Sequence, residues 1–120
     1  MSIQAKSYPV APGETITPGL AVYVDSGLLK VADETVLAVG FSVDAGTEGE
    51  LVTVRFSGEI YAQTDGSMSV GSRVQASAAA DGTVAGGGLT GRFLGIALSD
   101  TAGGLTHVAI GPFDYEAPAP

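Results

Sequence analysis

The sequence contains no cysteine, no tryptophan and no asparagine, and its only histidine is His107. The lack of cysteine excludes a disulfide framework and thiolate chemistry. A zinc site would need a cluster of histidine or cysteine, which is absent. No apolar run approaches the ~20 residues that span a bilayer, and the N-terminus lacks the basic-then-apolar layout of a signal peptide. We therefore expect a soluble protein with no membrane partner, made in the cytoplasm.

Positive charge is also scarce, because five basic residues stand against thirteen acidic ones, for a formal net charge of −8. The bases are Lys6, Lys30, Arg55, Arg73 and Arg92. They are too few and too dispersed to form a basic stripe, so we expect no nucleic-acid partner. The acids are scattered singly through predicted turns, and we interpret them as a solubility feature.

What the chain does contain is small apolar side chains and eighteen glycines in 120 residues. This length predicts one domain that buries roughly two-thirds of its unfolded surface. Glycine at this frequency indicates turns, not helices. With only eight aromatic residues the core is thin, so we expect oligomerisation to contribute to stability.

The most regular pattern lies in residues 51–60, LVTVRFSGEI, and continues to about Gln63. Val52, Val54, Phe56 and Ile60 alternate with Thr53, Arg55, Ser57 and Glu59. This alternation predicts a strand with one buried face. Gly58 falls on the apolar side, which predicts a bulge or a close backbone approach there.

Short β-prone segments separated by turn residues fill most of the remaining chain. Besides residues 51–63, strands are predicted over 20–24, 28–32, 36–43, 70–75, 83–85, 92–99 and 105–110. Residues 76–80 are alanine-rich, but they are too few to form a helix alone, and a hairpin is preferred. The spacing of the turns favours an all-β barrel or sandwich.

The two halves of the chain also match each other in pattern. Residues 39–45 match 94–100 at an offset of 55 (95 − 40 for the central glycines), residues 52–56 match 106–110 at an offset of 54, and residues 18–22 match 70–74 at an offset of 52. We predict one β domain over residues 19–111, a small β-barrel or sandwich of two pseudo-repeated halves at about 19–60 and 70–111. Coincidence between short strands of similar composition is the alternative.

Both ends of the chain are rich in proline. Residues 1–18 carry three prolines, which disfavours helix and predicts an extended N-terminal arm. Such an arm can lie along its own domain or along a neighbour. Residues 112–120 carry three prolines and two acids, which predicts a flexible C-terminal tail.

The sequence offers little for catalysis. His107 aligns with Thr53 in the repeat, on the outward side of its strand, and no Gly-x-Ser-x-Gly elbow supplies a nucleophile. Asp44, Glu48 and Glu50 lack the register of a calcium loop, and residues 86–92 lack the Lys-Ser/Thr ending of a phosphate loop. We therefore predict no enzymatic activity, no cofactor and no metal.

One family resemblance stands out, in residues 94–111, LGIALSDTAGGLTHVAIG. A hydrophobic glycine-centred strand, an Ala/Gly loop after an aspartate and an alternating strand ending in glycine resemble the capsid decoration, or cement, proteins of tailed phages. Residues 39–58 carry the same pattern, and the proline-bearing N-terminus also suits that family. The resemblance covers most of residues 10–112 and rests on pattern and composition.

The resemblance implies a structural virion protein on the outer surface of the phage head. Its partner would be the major capsid protein, whose neighbouring subunits it would clamp as a homotrimer. Contacts to the capsid or a sister subunit are expected from Tyr8, Pro9, Val10, Pro12 and Ile16. We expect deletion of residues 2–12 to leave a folded protein that binds heads poorly. The alternative is another phage structural module, from a tail, fibre or baseplate, or a carbohydrate-binding module.

Overall fold

Alternating side chains and glycine-bearing turns give this chain strands throughout its described part. The computed structural model describes residues 5–33, 35–36, 38–86 and 94–110, and in these ranges it contains twelve strands and no helix. The strands are β1 (Ala5–Pro9), β2 (Thr15–Ile16), β3 (Ala21–Asp25), β4 (Leu28–Val31), β5 (Gly40–Ser42), β6 (Gly46–Thr47), β7 (Leu51–Arg55), β8 (Gly58–Gln63), β9 (Arg73–Ala76), β10 (Val84–Gly86), β11 (Gly95–Ala97) and β12 (Leu105–Ile110). Within the same ranges no helix is long and apolar enough to cross a membrane. The predicted all-β class is confirmed.

The strands form two five-stranded sheets and one short two-stranded sheet, all antiparallel. The first sheet has the order β4-β3-β5-β7-β1 and the second has the order β10-β9-β11-β12-β8. Each sheet therefore comes from one half of the chain, with the change at residues 56–57. The architecture is sandwich-like, not a closed barrel.

The two sheets repeat each other strand by strand. In the orders given above, β4, β3, β5, β7 and β1 correspond to β10, β9, β11, β12 and β8. An isolated parallel bridge joins Val10 to Leu29 in the first sheet, and its counterpart joins Thr64 to Val84 in the second. The two halves are thus pseudo-repeated, as predicted, but β1 and β8 extend them, and residues 58–60 belong to the second half and not to the first. Residues 5–9 are a strand of the first sheet, whereas residues 112–120, predicted as a tail, lie outside the described residues.

Loop lengths explain why the offset between the halves drifts along the chain. In the first hairpin Val24 pairs with Leu29, and in the second Ala76 pairs with Val84. The offset of 52 before the hairpin (76 − 24) becomes 55 after it (84 − 29), because the second turn is three residues longer. The first hairpin closes through Ser26 and Gly27 at φ of 55° and 81°, as a two-residue turn of this kind requires.

The strand predicted over residues 36–43 is shorter than expected, and the predicted alternation of buried and exposed side chains along it is wrong. Gly40, Phe41 and Ser42 form β5 and are all buried, while Val39 is exposed. The reason is that β5 lies in the middle of the first sheet with a core on each face. A strand covered on both faces has no need of an alternating pattern.

The core on one face of the first sheet belongs to the first half alone. Its buried members are Val10, Ile16, Leu20, Val22, Leu29, Val52 and Val54. On the opposite face, Ala21 and Phe41 join a second core that also contains Val74, Val84 and Val108 of the second sheet. Burial of a side chain such as Phe41 stabilises the fold by about 1.5–3 kcal/mol. The two sheets are therefore held together by this shared core.

Gly58 does not form the bulge or close approach that the sequence predicts. It begins β8 with a φ of 93°, and a Cβ placed there would meet nothing within 4 Å. The single strand predicted over residues 51–63 is instead two strands, because the chain leaves the first sheet at Arg55 and enters the second at Gly58. The positive φ, which glycine adopts without a steric cost, allows this change of direction between the two sheets.

Candidate interaction surface

The sequence predicts external contacts for five N-terminal residues, and the structure divides them into two groups. Val10 and Ile16 are buried in the core of the first sheet, with 1% and 0% of their surface exposed. Tyr8 is half-buried against this core, Pro9 is half-buried at the end of β1, and Pro12 is exposed. Contact with another protein stays a prediction, and of the five only Tyr8, Pro9 and Pro12 present side-chain surface for it.

Part of the outer edge of β1 is open. Ser7 lies opposite Thr53, whose carbonyl oxygen accepts a hydrogen bond from the Val43 N–H of the neighbouring segment at 2.9 Å. The backbone N–H and C=O of Ser7 therefore point away from β7, and within the described residues they have no hydrogen-bond partner. Deleting residues 2–12 would remove β1 and Val10 and open the first core, so the structure leads us to expect that this deletion destabilises the fold, contrary to the expectation from the sequence.

The equivalent edge of β8 is covered by the first half. The Gln63 N–H donates to the Gly19 carbonyl at 2.8 Å, and the Arg55 guanidinium donates to the Glu59 carbonyl at 2.7 Å. Gly19 has a φ of +88°, and a Cβ there would lie 2.5 Å from the Tyr61 carbonyl oxygen. Glycine is thus required at this turn by both its conformation and its close approach. A partner strand has no free access to β8 along this edge.

A group of three side chains lies on the outer surface of β8 and β12. Tyr61 and His107 are directly opposite in the register, and their rings stack at a centroid distance of 4.7 Å and an interplanar angle of 16°. His107 Nε2 lies 2.8 Å from Glu59 Oε1, which places the carboxylate beside the stack. Since the strands alternate, these three side chains share one face of the second sheet.

Two exposed leucines border the stack. The Leu98 N–H donates to the His107 carbonyl at 2.7 Å, so Leu98 lies next to His107 across the sheet. Leu105 precedes His107 by two positions on β12 and points to the same side. Leu98, Leu105 and Tyr61 are 42%, 41% and 61% exposed. We name the surface formed by Glu59, Tyr61, Leu98, Leu105 and His107 the Tyr61 face.

The acidic loop between β5 and β7 uses its carboxylates to hold backbone. Asp44 accepts a hydrogen bond from the Thr53 N–H at 3.1 Å. Glu50 accepts from the Thr47 N–H at 2.7 Å. Across the ranges that the structure describes, no three histidine, aspartate or glutamate side chains are placed to hold a metal ion. The phosphate-loop candidate at residues 86–92 falls almost entirely outside those ranges.

Two aspartates form local turns with a threonine two residues later. The Thr35 hydroxyl and N–H donate to Asp33 at 2.6 and 2.8 Å and lower the pKa of this carboxyl from its ordinary value of 3.8. The Thr83 hydroxyl and N–H donate to Asp81 at 2.5 and 3.0 Å and lower the pKa of Asp81 in the same way. These hydrogen bonds favour the charged form of the acid, and the turns are structural.

The sequence pattern correctly placed His107 at the position equivalent to Thr53 in the repeat, but it did not reveal the Tyr61 face. Tyr61 was outside the matched segments, because β1 and β8 share no visible residue pattern. The signal that identifies it is the strand register: Tyr61 occupies the position of Ser7 at the same offset of 54 that relates His107 to Thr53. Only the pairing of β8 with β12 makes this alignment visible.

Comparison with known proteins supports the fold. No protein-family model matches the sequence, and no curated protein is significantly similar to it. Among solved structures, the chain is similar to the N base of head fiber gp8.5 in bacteriophage phi29, with a TM-score of 0.72. The match covers 94% of this chain and 99% of that chain at 16% sequence identity. The chain therefore has the fold of the N base of a bacteriophage head fiber.

Proposed function

We propose that the chain is a structural protein of a phage head, carried on the outer surface of the virion. The observation that supports this most is the likeness to the phi29 head-fiber base over nearly the whole of both chains. A β-sandwich with a structural role needs no catalytic residues. We propose neither an enzymatic activity nor a cofactor. The proposal agrees with the resemblance of residues 94–111 to capsid decoration proteins.

The finer proposal is that the protein binds the major capsid protein and clamps neighbouring subunits as a homotrimer. A thin core of valine and alanine makes association a reasonable source of added stability. The open edge at Ser7 offers a short site for backbone pairing, although Pro9 restricts its length because proline has no N–H. Three weak contacts per trimer would act together and raise the avidity.

A second candidate function is the base of a head fibre, which would join a longer projection to the capsid. The observation that favours it is that the similar phi29 structure is the N base of a head fiber. Both candidates require binding to the head. They differ in whether this chain alone forms the projection on the head or anchors a second protein that projects from it. Electron microscopy of virions labelled on this chain would distinguish the two arrangements.

The direct test is to mix the purified protein with expanded heads of the phage that encodes it and to pellet the heads. We expect saturable co-pelleting with heads, and none with tails or with polysaccharide. Light scattering of the free protein should give a trimer, or a monomer that trimerises on the shell. Failure to bind heads under conditions where the protein is folded would overturn the proposed function.

A further inference from the structure

The two halves of the chain have the same strand arrangement, so equivalent surface positions can be compared. The comparison shows which surface residues the fold itself requires. Ser7 and Thr53 occupy the cross-strand position that Tyr61 and His107 occupy in the second half. The first pair is joined by a hydroxyl hydrogen bond of 3.1 Å. Because the same register is maintained there by two small polar side chains, the aromatic stack is not a requirement of this sheet.

The Tyr61 face also has the features of a recognition surface. Tyr61 keeps 61% of its surface exposed although stacking on His107 restricts its ring. A tyrosine with a fixed ring loses little conformational entropy on binding, which is why this residue type is frequent at the centre of interfaces. The Glu59 side chain is 60% exposed and is fixed in place by His107.

We propose that the Tyr61 face is a capsid-binding surface, separate from the open edge at Ser7, and that it recognises an arginine-bearing, basic site on the major capsid protein. This inference rests on the proposed function. An arginine can pair with the Glu59 carboxylate and stack on the Tyr61 ring at the same time. Leu105 and, beyond His107, Leu98 would then form an apolar rim of the contact and help to exclude water.

The charge of the chain supports a basic partner. With a net charge of −8, the protein repels acidic surfaces and attracts basic ones, and the attraction weakens as salt increases. The cover over the outer edge of β8 supports docking through side chains, since the Gln63 N–H is bonded to Gly19 and the Glu59 carbonyl is bonded to Arg55 there. The contact is therefore to the face of the sheet, not to its edge.

The test replaces residues of the Tyr61 face by those of the first half. In the variant with Tyr61→Ser and His107→Thr, the second half receives the pair that the first half already accommodates, so folding should be retained. We expect its affinity for expanded heads to fall at least about thirtyfold. Wild-type affinity in a folded variant would overturn the inference. Wild-type protein that fails to bind heads at all would instead overturn the proposed function.

Leucine substitutions provide a matched control. Leu105→Ser lies on the Tyr61 face, whereas Leu51→Ser changes a leucine at the equivalent position of the first half that is 68% exposed. We expect weakened head binding for Leu105→Ser and unchanged binding for Leu51→Ser. Equal losses in the two variants would contradict a site on the second sheet.

Glu59→Gln tests the chemistry of the partner. We expect about tenfold weaker binding at low salt and a smaller loss of affinity when salt is raised. Unchanged affinity and salt dependence in this variant would exclude recognition of a basic site. Wild-type binding that is competed by polysaccharide would also overturn the inference, because it would identify the Tyr61 face as a carbohydrate platform.

Discussion

Gly40 and Gly95, 55 residues apart in the chain, occupy equivalent positions in the two sheets and face equivalent carbonyl oxygens. A Cβ at Gly40 would overlap the carbonyl of Arg55, and one at Gly95 would overlap the carbonyl of Ala109. Each would also lie 3.0 Å from a valine methyl, in Val54 or in its counterpart Val108. Both halves therefore need glycine at this point for the same reason, which is the close approach of the neighbouring strand.

We expect Gly40→Ala and Gly95→Ala each to lower the free energy of unfolding by about 1–3 kcal/mol, because backbone must move to admit the methyl group. Urea unfolding monitored by circular dichroism measures the change. Ala45→Val, at an exposed loop position, is the control and should alter stability by no more than about 0.5 kcal/mol. A glycine variant as stable as the control would show that the strands can separate without cost.

Ile16→Ala tests the role of the N-terminal segment in the first core. Ile16 is fully buried, so its truncation should cost about 2–5 kcal/mol through lost burial and a cavity. Thr15→Ala, at the exposed neighbouring position in β2, should change stability by about 0.5 kcal/mol or less. Thermal unfolding of the two variants checks this. Similar melting temperatures would mean that residues 15–16 pack outside the core.

Thr106→Val tests a buried hydroxyl network that is specific to the second half. Thr106 Oγ1 lies 2.8 Å from Thr64 Oγ1 and 2.7 Å from Thr101 Oγ1. The position equivalent to Thr106 in the first half is Val52, and the position equivalent to Thr64 is Val10. We expect Thr106→Val alone to cost about 1–2 kcal/mol, because it removes one hydrogen-bond partner from each of two hydroxyls.

Adding Thr64→Val should recover part of that loss, since the pair would then match the apolar pair of the first half. A double-mutant cycle by chemical denaturation measures the coupling between the two positions. Strictly additive losses would show that the hydroxyls do not depend on each other.

Thr83→Val should raise the pKa of Asp81 towards 3.8, because the lowered pKa comes first from the Thr83 hydroxyl. The folded-state pKa lies below the unfolded value, so the stabilising contribution is present above a pH of about 3.8 and is lost as the pH falls through the folded pKa. NMR titration of the aspartate carboxyls measures the pKa of Asp81 and that of the control, Asp33. Asp33, which keeps Thr35, should titrate unchanged, and a shift there would indicate a general effect of the substitution.

The sequence predicted the fold class and most of the strands because local patterns suffice for them. The hairpin at residues 25–28 and the strand at residues 105–110 are examples. Sequence alone could not place Tyr61 beside His107, because the two residues are 46 positions apart and their pairing depends on the register of β8 with β12. It also could not tell that Val10 and Ile16 point into the core, since an extended arm and an edge strand share the same proline-rich pattern.

The sequence by itself determined the all-β class, most of the strands and turns and the repeated pattern within residues 18–110, because alternation and glycine placement act between near neighbours in the chain. It did not show that residues 51–63 form two strands in different sheets. The tertiary structure decided three other things: that β1 completes the first sheet, that the first half covers the edge of β8, and that Tyr61, His107 and Glu59 form one surface. Each of these depends on contacts between segments far apart in the chain, where strand register and shared burial, not local pattern, select the partner.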